Sequence, residues 1–385
     1  MHFTSEHQAL RRTARQFVES EINPYILEWE KEGQFPIHEV FKKMGNLGLL
    51  GICKPEENGG LGLDISYNLV VAEEFGRAIA GGVAMAMGVQ TDMATPALAR
   101  FGSQELRNMF LSPAIAGDYV GAIAVSETHA GSDVAAIKTT ARKNGDNYII
   151  NGSKMWITNG SQADFFCLLA NTSDDKPHKN KSLIVVPSKT QGISFSEPLH
   201  KLGMHTTNTA QIFFDEVRVP QDYLIGEEGA GFTIQMMQFQ EERLWICANA
   251  LGALDICLEQ TIEYTRERTT FGKPIINNQY VHFRFAELAT EIEALRALTY
   301  QAAELHSEGK DVTKLASMAK LKAGRLLREV TDSCLQYWGG NGFMWDNIAS
   351  QLYRDTRISS IAGGTDEIML GIIAKTMDML PNKSR

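Results

Sequence analysis

Little in this chain can hold a metal or a disulfide framework. Five cysteines, Cys53, Cys167, Cys247, Cys257 and Cys334, are spread over 385 residues. Their number is odd, and no two stand at C-x-x-C spacing. A disulfide scaffold or structural zinc is therefore not expected, and the thiols suit a reducing compartment. The nine histidines make no H-E-x-x-H pattern, so no metal site is expected, and redox chemistry would need an organic cofactor. Basic residues are outnumbered, 37 Lys and Arg against 46 Asp and Glu, for a net charge of −9. No basic face for nucleic acid is visible, and no polybasic run for a membrane surface. No apolar stretch approaches the roughly 18 residues of a membrane span. The start, MHFTSEHQALRRTARQF, lacks the apolar core of a signal peptide, and its early acidic residue is unlike a transit peptide. The expectation is a cytoplasmic protein that neither inserts into membranes nor binds nucleic acid.

What is present is an ordinary globular composition, 44% hydrophobic and 22% charged. The length exceeds what one core organises, so two or three domains are expected. Residues 1–118 read as helices. SEHQALRRTARQFVES has a Ser cap and apolar residues at helical spacing, and KPEENGGLG is a loop. The Ala/Met-rich stretch 83–89 is core, with a wall for an oily ligand as the alternative. Residues 119–228 are short β-rich runs between turn residues, the pattern of an antiparallel sandwich or small barrel. NTSDDKPHKNK is a solvated hairpin loop within it. Residues 229–385 are helical again, with segments 232–267, 279–308, 311–338 and 365–380 long enough for a four-helix bundle.

Several motifs stand out, each with a bland alternative. AVSETHAGSD (124–133) follows a strand; Gly131 lets backbone approach a ligand, and Ser126 and Ser132 offer hydroxyls. Trp156 and Thr158 of KMWITNG lie two apart on a strand, hence on one face; they could meet a flat heteroaromatic ring or simply sit in a β core. Arg268, Phe271 and Gln279 surround a glycine turn. Arg268 could grip a phosphate or be a surface arginine. QYWGGNGF (336–343) is a Gly-rich helix exit whose N–H groups could cradle an anion. GGTDEI (363–368) opens the last helix, where an N-terminus favours negative charge. In FQEERLWICANALGAL, Glu241 and Glu242 lie about 100° apart on a helix and cannot face the same thing. The alternatives are one solvated and the other turned inward, or two surface acids, one of them paired with Arg243.

Taken in order, AVSETHAGSD, KMWITNG, FFDEVRVP, RTTFGK…Q, QYWGGNGF and YRDTRISSIAGGTDEI resemble the acyl-CoA dehydrogenase family over residues 124–368. The resemblance implies a mainly α fold with a β insert: an N-terminal helical domain, a central antiparallel β domain and a C-terminal four-helix bundle, usually in a homotetramer built as a dimer of dimers. It implies FAD between the β domain and the bundle. Val125, Ser126, Trp156 and Thr158 match contacts to the isoalloxazine ring, and Ser132 matches a substrate contact that also counts among the cofactor-binding positions. Arg268, Phe271, Gln279 and the run Gln336 to Gly340, with Gly339, match positions that hold the adenosine and pyrophosphate, partly across a subunit boundary. Thr365 and Glu367 match flavin contacts at the last helix.

Many members of this family carry a catalytic Glu where this chain has Gly363. The isovaleryl-CoA and long-chain branch has a small residue there and places its base in a motif ending E-R-L. Glu242-Arg243-Leu244 matches that motif, which makes Glu242 the implied base and Glu241 a bystander. Arg243, Gly363 and Gly364 would then border the substrate, with the Gly363 N–H polarising the thioester carbonyl. The implied reaction is α,β-dehydrogenation of a fatty or branched acyl-CoA, with electrons passed to an electron-transfer flavoprotein. Three departures from the family pattern are Thr128-His129 for Pro-Gly, His205 for Arg, and Ala362 for an aromatic residue. The last, with Gly363, implies a wide pocket near the thioester, as for a long or methyl-branched chain such as citronellyl-CoA. The alternatives are an acyl-CoA oxidase that uses oxygen, and a binder of acyl-CoA or FAD without a base.

Overall fold

The computed structural model describes residues 3–380; the first two residues of the expected N-terminal domain and 381–385 of the expected bundle domain lie outside the described residues. The chain opens with α1 (Ser5–Phe17), α2 (Ile26–Glu32), α3 (Ile37–Asn46), α4 (Ile65–Phe75), α5 (Gly81–Gly88), α6 (Pro96–Phe101), α7 (Gln104–Leu106) and α8 (Ser112–Ile115). The α1 cap is Thr4, not the expected Ser5: Thr4 and His7 form a reciprocal capping box, so the first serine is already inside the helix. Within the Ala/Met stretch, Val83, Ala84, Ala86 and Met87 are core, as read from the sequence; Ala84 and Met85 also line a small cleft beside Trp245 and Ile246.

Eight strands follow: β1 (Gly121–Ala124), β2 (Thr140–Asn144), β3 (Asn147–Thr158), β4 (Phe165–Asn171), β5 (Lys181–Pro187), β6 (Ile193–Phe195), β7 (Thr209–Pro220) and β8 (Leu224–Ile225). They form one sheet in the order β6-β7-β3-β2-β4-β5-β8, with β1 also paired to β4. The expected antiparallel domain is thus corrected to a mixed sheet. β1 runs parallel to β4, Gly121 opposite Phe165, and β2 touches β4 in parallel at Thr140 and Asn171. Period-two alternation reports burial and is blind to the direction of the neighbouring strand. β4 is buried along its whole length, because the sheet is covered on both faces. Phe165, Cys167 and Leu169 pack towards α6 and α8, while Phe166, Leu168 and Ala170 pack into the other layer with Ile212 and Phe214.

The remainder is helical. α9 (Gly231–Glu267) is followed by the two-residue strands β9 (Thr269–Thr270) and β10 (Lys273–Pro274), then α10 (Gln279–Ser307), α11 (Thr313–Trp338), α12 (Ile348–Thr356) and α13 (Asp366–Thr376). The four anticipated segments appear, the last ending earlier than read. α12 was not anticipated; it is capped by Asn347 and amphipathic, but too short to stand out between glycine-rich loops. α9 is buried almost continuously from Glu241 to Leu254, because α4, α10 and α11 surround it. A helix wrapped on all sides loses its polar face.

Candidate active site

Glu242 lies on α9 and is 8% exposed. One shoulder of this helix is fixed against the 88–97 segment. Gln238 accepts from the Ala97 N–H (3.1 Å) and donates to the Met93 carbonyl. Trp245 packs so closely under Gly88 that a Cβ there would lie 2.4 Å from its ring. On the other shoulder, Glu242 and Ile246 face the loop before α13. A Cβ on Gly363 would come within 2.4 Å of Ile246 Cδ1 and 3.5 Å of Glu242 Oε1, and Gly363 has φ +64°. Both the conformation and the space therefore call for glycine. A side chain at 363 would occupy the room the Glu242 carboxylate uses.

Glu242 accepts no hydrogen bond from a described residue. Burial pushes its carboxyl up to about 7, with Arg243 and Lys320 opposing the rise and Asp92 adding to it. Desolvation disfavours the charged form, and a carboxylate so placed is a stronger base than one in water. The neighbouring acid differs. Burial alone would raise Glu241, yet His306 and Arg100 hold it below the ordinary value; His306 Nε2 lies 3.2 Å from it and Arg100 pairs with it directly. Neither acid is at the surface and Arg243 pairs with neither. Arg243 is buried, its Nε without a partner.

Two buried lysines beside these candidates escaped the sequence reading. Lys320 on α11 donates to the Gly364 carbonyl, tying the 363–364 turn down from below, and burial pulls its ammonium down to about 8. Its signal was a lysine on the small, apolar stripe Ala316, Ala319 and Ala323, all buried. Lys154 on β3 was the second, fully buried. It donates to the Val125 carbonyl (2.8 Å) and to Glu127 (2.9 Å). Its signal was a lysine at an inward position of an alternating strand.

The Lys154 bonds gather the β-domain candidates. The loop after β1 is held against β3 by them and by the Met155 N–H donating to the Ser126 carbonyl (2.9 Å). Next to that bond β3 bulges between Lys154 and Ile157, and Trp156, at φ +61°, is turned outward, 52% exposed. Val125 and Ser126 are so held beside β3, which carries Trp156 and Thr158, while Ser132 lies exposed farther along the loop. His129 stands 3.5 Å from Glu127. His205 packs edge-on to Trp345.

The remaining candidates form a separate group at the far end of the bundle. Arg268 ends α9, Phe271 is the exposed tip of the β9–β10 hairpin, Gln279 starts α10, and Gln336, Gly339 and Gly340 end α11. Tyr264 stacks on Trp338 at 4.0 Å, and Asn341 donates to the Tyr264 hydroxyl (3.1 Å), joining these ends. Thr365 caps α13 by accepting from the Ile368 N–H (3.2 Å), and Glu367 is exposed beside it. One continuous helix separates Arg268 from Glu242 by 26 residues, about 39 Å. The residues of one chain therefore divide into two partial sites.

The residues fit a dinucleotide. The side chains of Arg268 and Gln279 have no hydrogen-bond partner among the described residues. Phe271 and Trp156 are uncovered rings, and a Cβ at Gly339 or Gly340 would meet nothing within 4 Å. Free donors, open backbone and bare aromatic faces are what a phosphate and a heteroaromatic ring require.

Family models describing the acyl-CoA dehydrogenase N-terminal, middle and C-terminal domains match residues 4–118, 122–217 and 229–377. An acyl-CoA dehydrogenase of Bacillus subtilis (strain 168) is 38% identical over 97% of this chain and 98% of its own. The mouse mitochondrial short-chain specific acyl-CoA dehydrogenase is 37% identical over 96% of this chain and 89% of its own. The rat mitochondrial long-chain specific enzyme is also 37% identical, over 97% and 86%. The crystal structure of an acyl-CoA dehydrogenase from Geobacillus kaustophilus superimposes with a TM-score of 0.94 at 37% identity, covering 98% of this chain and 99% of that one.

Proposed function

The chain belongs to the acyl-CoA dehydrogenase family of FAD-dependent oxidoreductases, and from that premise we propose that Glu242 is the base of an α,β-dehydrogenation of a long-chain or methyl-branched acyl-CoA. The observation that carries the reading is the buried, unpaired Glu242 carboxylate facing the gap at Gly363.

The bound FAD supplies the acceptor for the hydrogen that leaves the β-carbon with its electron pair. The rest falls to this chain. The α-proton passes to the Glu242 carboxylate, and the electrons of that C–H bond become the new double bond, giving a trans-2-enoyl-CoA. The Gly363 N–H polarises the thioester carbonyl, which acidifies the α-hydrogen. Lys320 keeps the turn in place through the Gly364 carbonyl. Gly364, Arg243 and Ser132 border the acyl-CoA. Val125, Ser126, Trp156, Thr158, Thr365 and Glu367 would hold the flavin ring, and Arg268, Phe271, Gln279, Gln336, Gly339 and Gly340 would hold the adenosine and pyrophosphate.

The separation of these two groups on one chain supports completion of each site by a second copy, within a homotetramer. Ala362 is small and exposed and Gly363 adds no bulk, which supports a wide pocket suited to a citronellyl-like chain. Equal identity to short-chain and long-chain relatives leaves that preference to the pocket. An electron-transfer flavoprotein takes the electrons, and the cytoplasm is the compartment; no helix among the described residues is long and apolar enough to cross a membrane.

The test is anaerobic titration of the FAD-loaded protein with acyl-CoAs of graded length and branching. Bleaching of the flavin by long or methyl-branched thioesters, lost by two to four orders of magnitude in rate in Glu242→Gln, is the expected result. A Glu242→Gln protein that bleaches at the wild-type rate refutes the assignment, and rapid peroxide formation in air would make the chain an oxidase.

A further inference from the structure

A cavity of about 430 Å³ is lined by Glu241 but by neither Glu242 nor Gly363, with room for on the order of a dozen waters. Its wall comes from the 50–65 loop, α4, the 91–100 segment, Glu241 of α9 and His306 and Ser307 of α10. The reaction proposed above uses none of these residues.

Lys54 is the odd member of this wall. It is 5% exposed, and its ammonium makes one hydrogen bond, to the Thr91 carbonyl at 2.7 Å. It has no ion-pair partner among the described residues. An ammonium carries three donors; Asp92 and Glu241 attract it through space, but no carboxylate bonds it directly, and a buried charge without a bonded partner is costly. Burial accordingly pulls Lys54 below the ordinary lysine value.

The carboxylates of the same wall are already engaged. Glu241 is paired with Arg100 and His306. Asp64 accepts from the Ser66 N–H (2.7 Å) and the Ser66 hydroxyl (2.5 Å). Asp92 accepts from Asn68 (2.6 Å) and the Thr91 hydroxyl (2.5 Å). Among the residues of this wall, two N–H groups of Lys54 and the guanidinium N–H groups of Arg100 other than Nη2 are left without a partner among the described residues, as is one carboxylate oxygen each of Glu241 and Asp64. We propose that this cavity is a carboxylate-binding site in which Lys54 supplies the counter-charge and Arg100 a second donor.

Two sources could deliver the carboxylate: the far end of the acyl group itself, or a free carboxylic acid. Asp92 stands electrostatically between the cavity and the base, acting on both Lys54 and Glu242, so either occupant would be sensed at the reacting end. The first source rests on the dehydrogenase reading; the second does not.

The experiment uses FAD-loaded wild type, Lys54→Met and Lys54→Arg. One arm compares kcat/KM for adipoyl-CoA and hexanoyl-CoA, equal in length and ending in a carboxylate or a methyl. The other titrates glutarate, and its neutral diamide, calorimetrically without any CoA. Wild type should favour at least one carboxylate over its neutral counterpart tenfold or more. Lys54→Met should erase that preference and Lys54→Arg should restore it. Loss confined to adipoyl-CoA assigns the site to the acyl terminus; loss confined to glutarate assigns it to a free acid. Failure of the dehydrogenase reading would silence both thioesters and leave the glutarate titration intact. If Lys54→Met does not fold, the wild-type ratios still decide. Absence of any carboxylate preference in wild type, or a preference unchanged in Lys54→Met, overturns the proposal.

Discussion

Glu242→Gln should disable the protein and gain stability relative to wild type as pH rises from 4.5 through 7. A rise from the ordinary 4.5 to about 7 in the folded state corresponds, at about 1.36 kcal/mol per pH unit, to roughly 3 kcal/mol. The sign follows from which state binds the proton. Below pH 4.5 the carboxyl is protonated folded and unfolded, and the group is neutral to stability. Between 4.5 and 7 the unfolded chain releases its proton and the folded chain keeps it, so stability falls as pH rises. Above 7 the whole cost is present. Glutamine has no such dependence. Its buried amide adds a constant penalty of about 1–3 kcal/mol if unpartnered, which shifts all pH values alike. The difference between variant and wild type should therefore move by about 3 kcal/mol in favour of the variant from pH 4.5 to 8.5. For 385 residues unfolding as one unit, at about 2.1 cal/mol/K per residue, that is about 4 °C in Tm. Thermal melts of FAD-loaded wild type and variant across this pH range measure it. Parallel Tm curves would mean that Glu242 is not desolvated, and the basis for its role as the base would go with it.

The charges around Glu242 make opposite predictions for the pH dependence of kcat/KM. The wild-type profile should rise through about 7; Lys320→Met removes a neighbour that holds Glu242 down and should move the midpoint up, whereas Asp92→Asn should move it down, and same-direction shifts would refute the electrostatic account. Gly363→Ala, at φ +64° and against Ile246, should cost about 1–2 kcal/mol of stability and lower kcat/KM more than tenfold, read by melts and steady-state rates. Arg268→Ala should leave secondary structure unchanged by circular dichroism and reduce flavin occupancy, read as the ratio of visible to ultraviolet absorbance. Glu73 is buried among Arg11, Arg296 and Tyr300, tying α1 and α4 to the bundle; Glu73→Ala should cost about 3–5 kcal/mol, measured as a lowered urea midpoint.

Much of this molecule was legible along the chain. Helical spacing announced α9, α10 and α11 within a few residues, because an amphipathic or buried helix writes its period into the sequence. The ordered motifs pointed to the family. The E-R-L motif singled out Glu242 over Glu241. The sequence could not say that Glu241 would be clamped by Arg100 and His306 and that Glu242 would be left without a partner. Those partners come from residues about 141 and 65 positions away, and sequence distance carries no information about them.

The same reason separates the other cases. That β1 lies parallel to β4, that Lys154 anchors the Ser126 loop, that Lys320 sits under Gly364 and that Lys54 lines a cavity all depend on segments remote in sequence. Composition, period and motif are properties of neighbouring residues, and they determined the helix–sheet–helix order, the family and the identity of the chemical groups. Burial, charge pairing and the space beside Gly363 are properties of packing, and only the tertiary structure decided which of the two acids is a desolvated carboxyl without a partner and which is half of an ion pair.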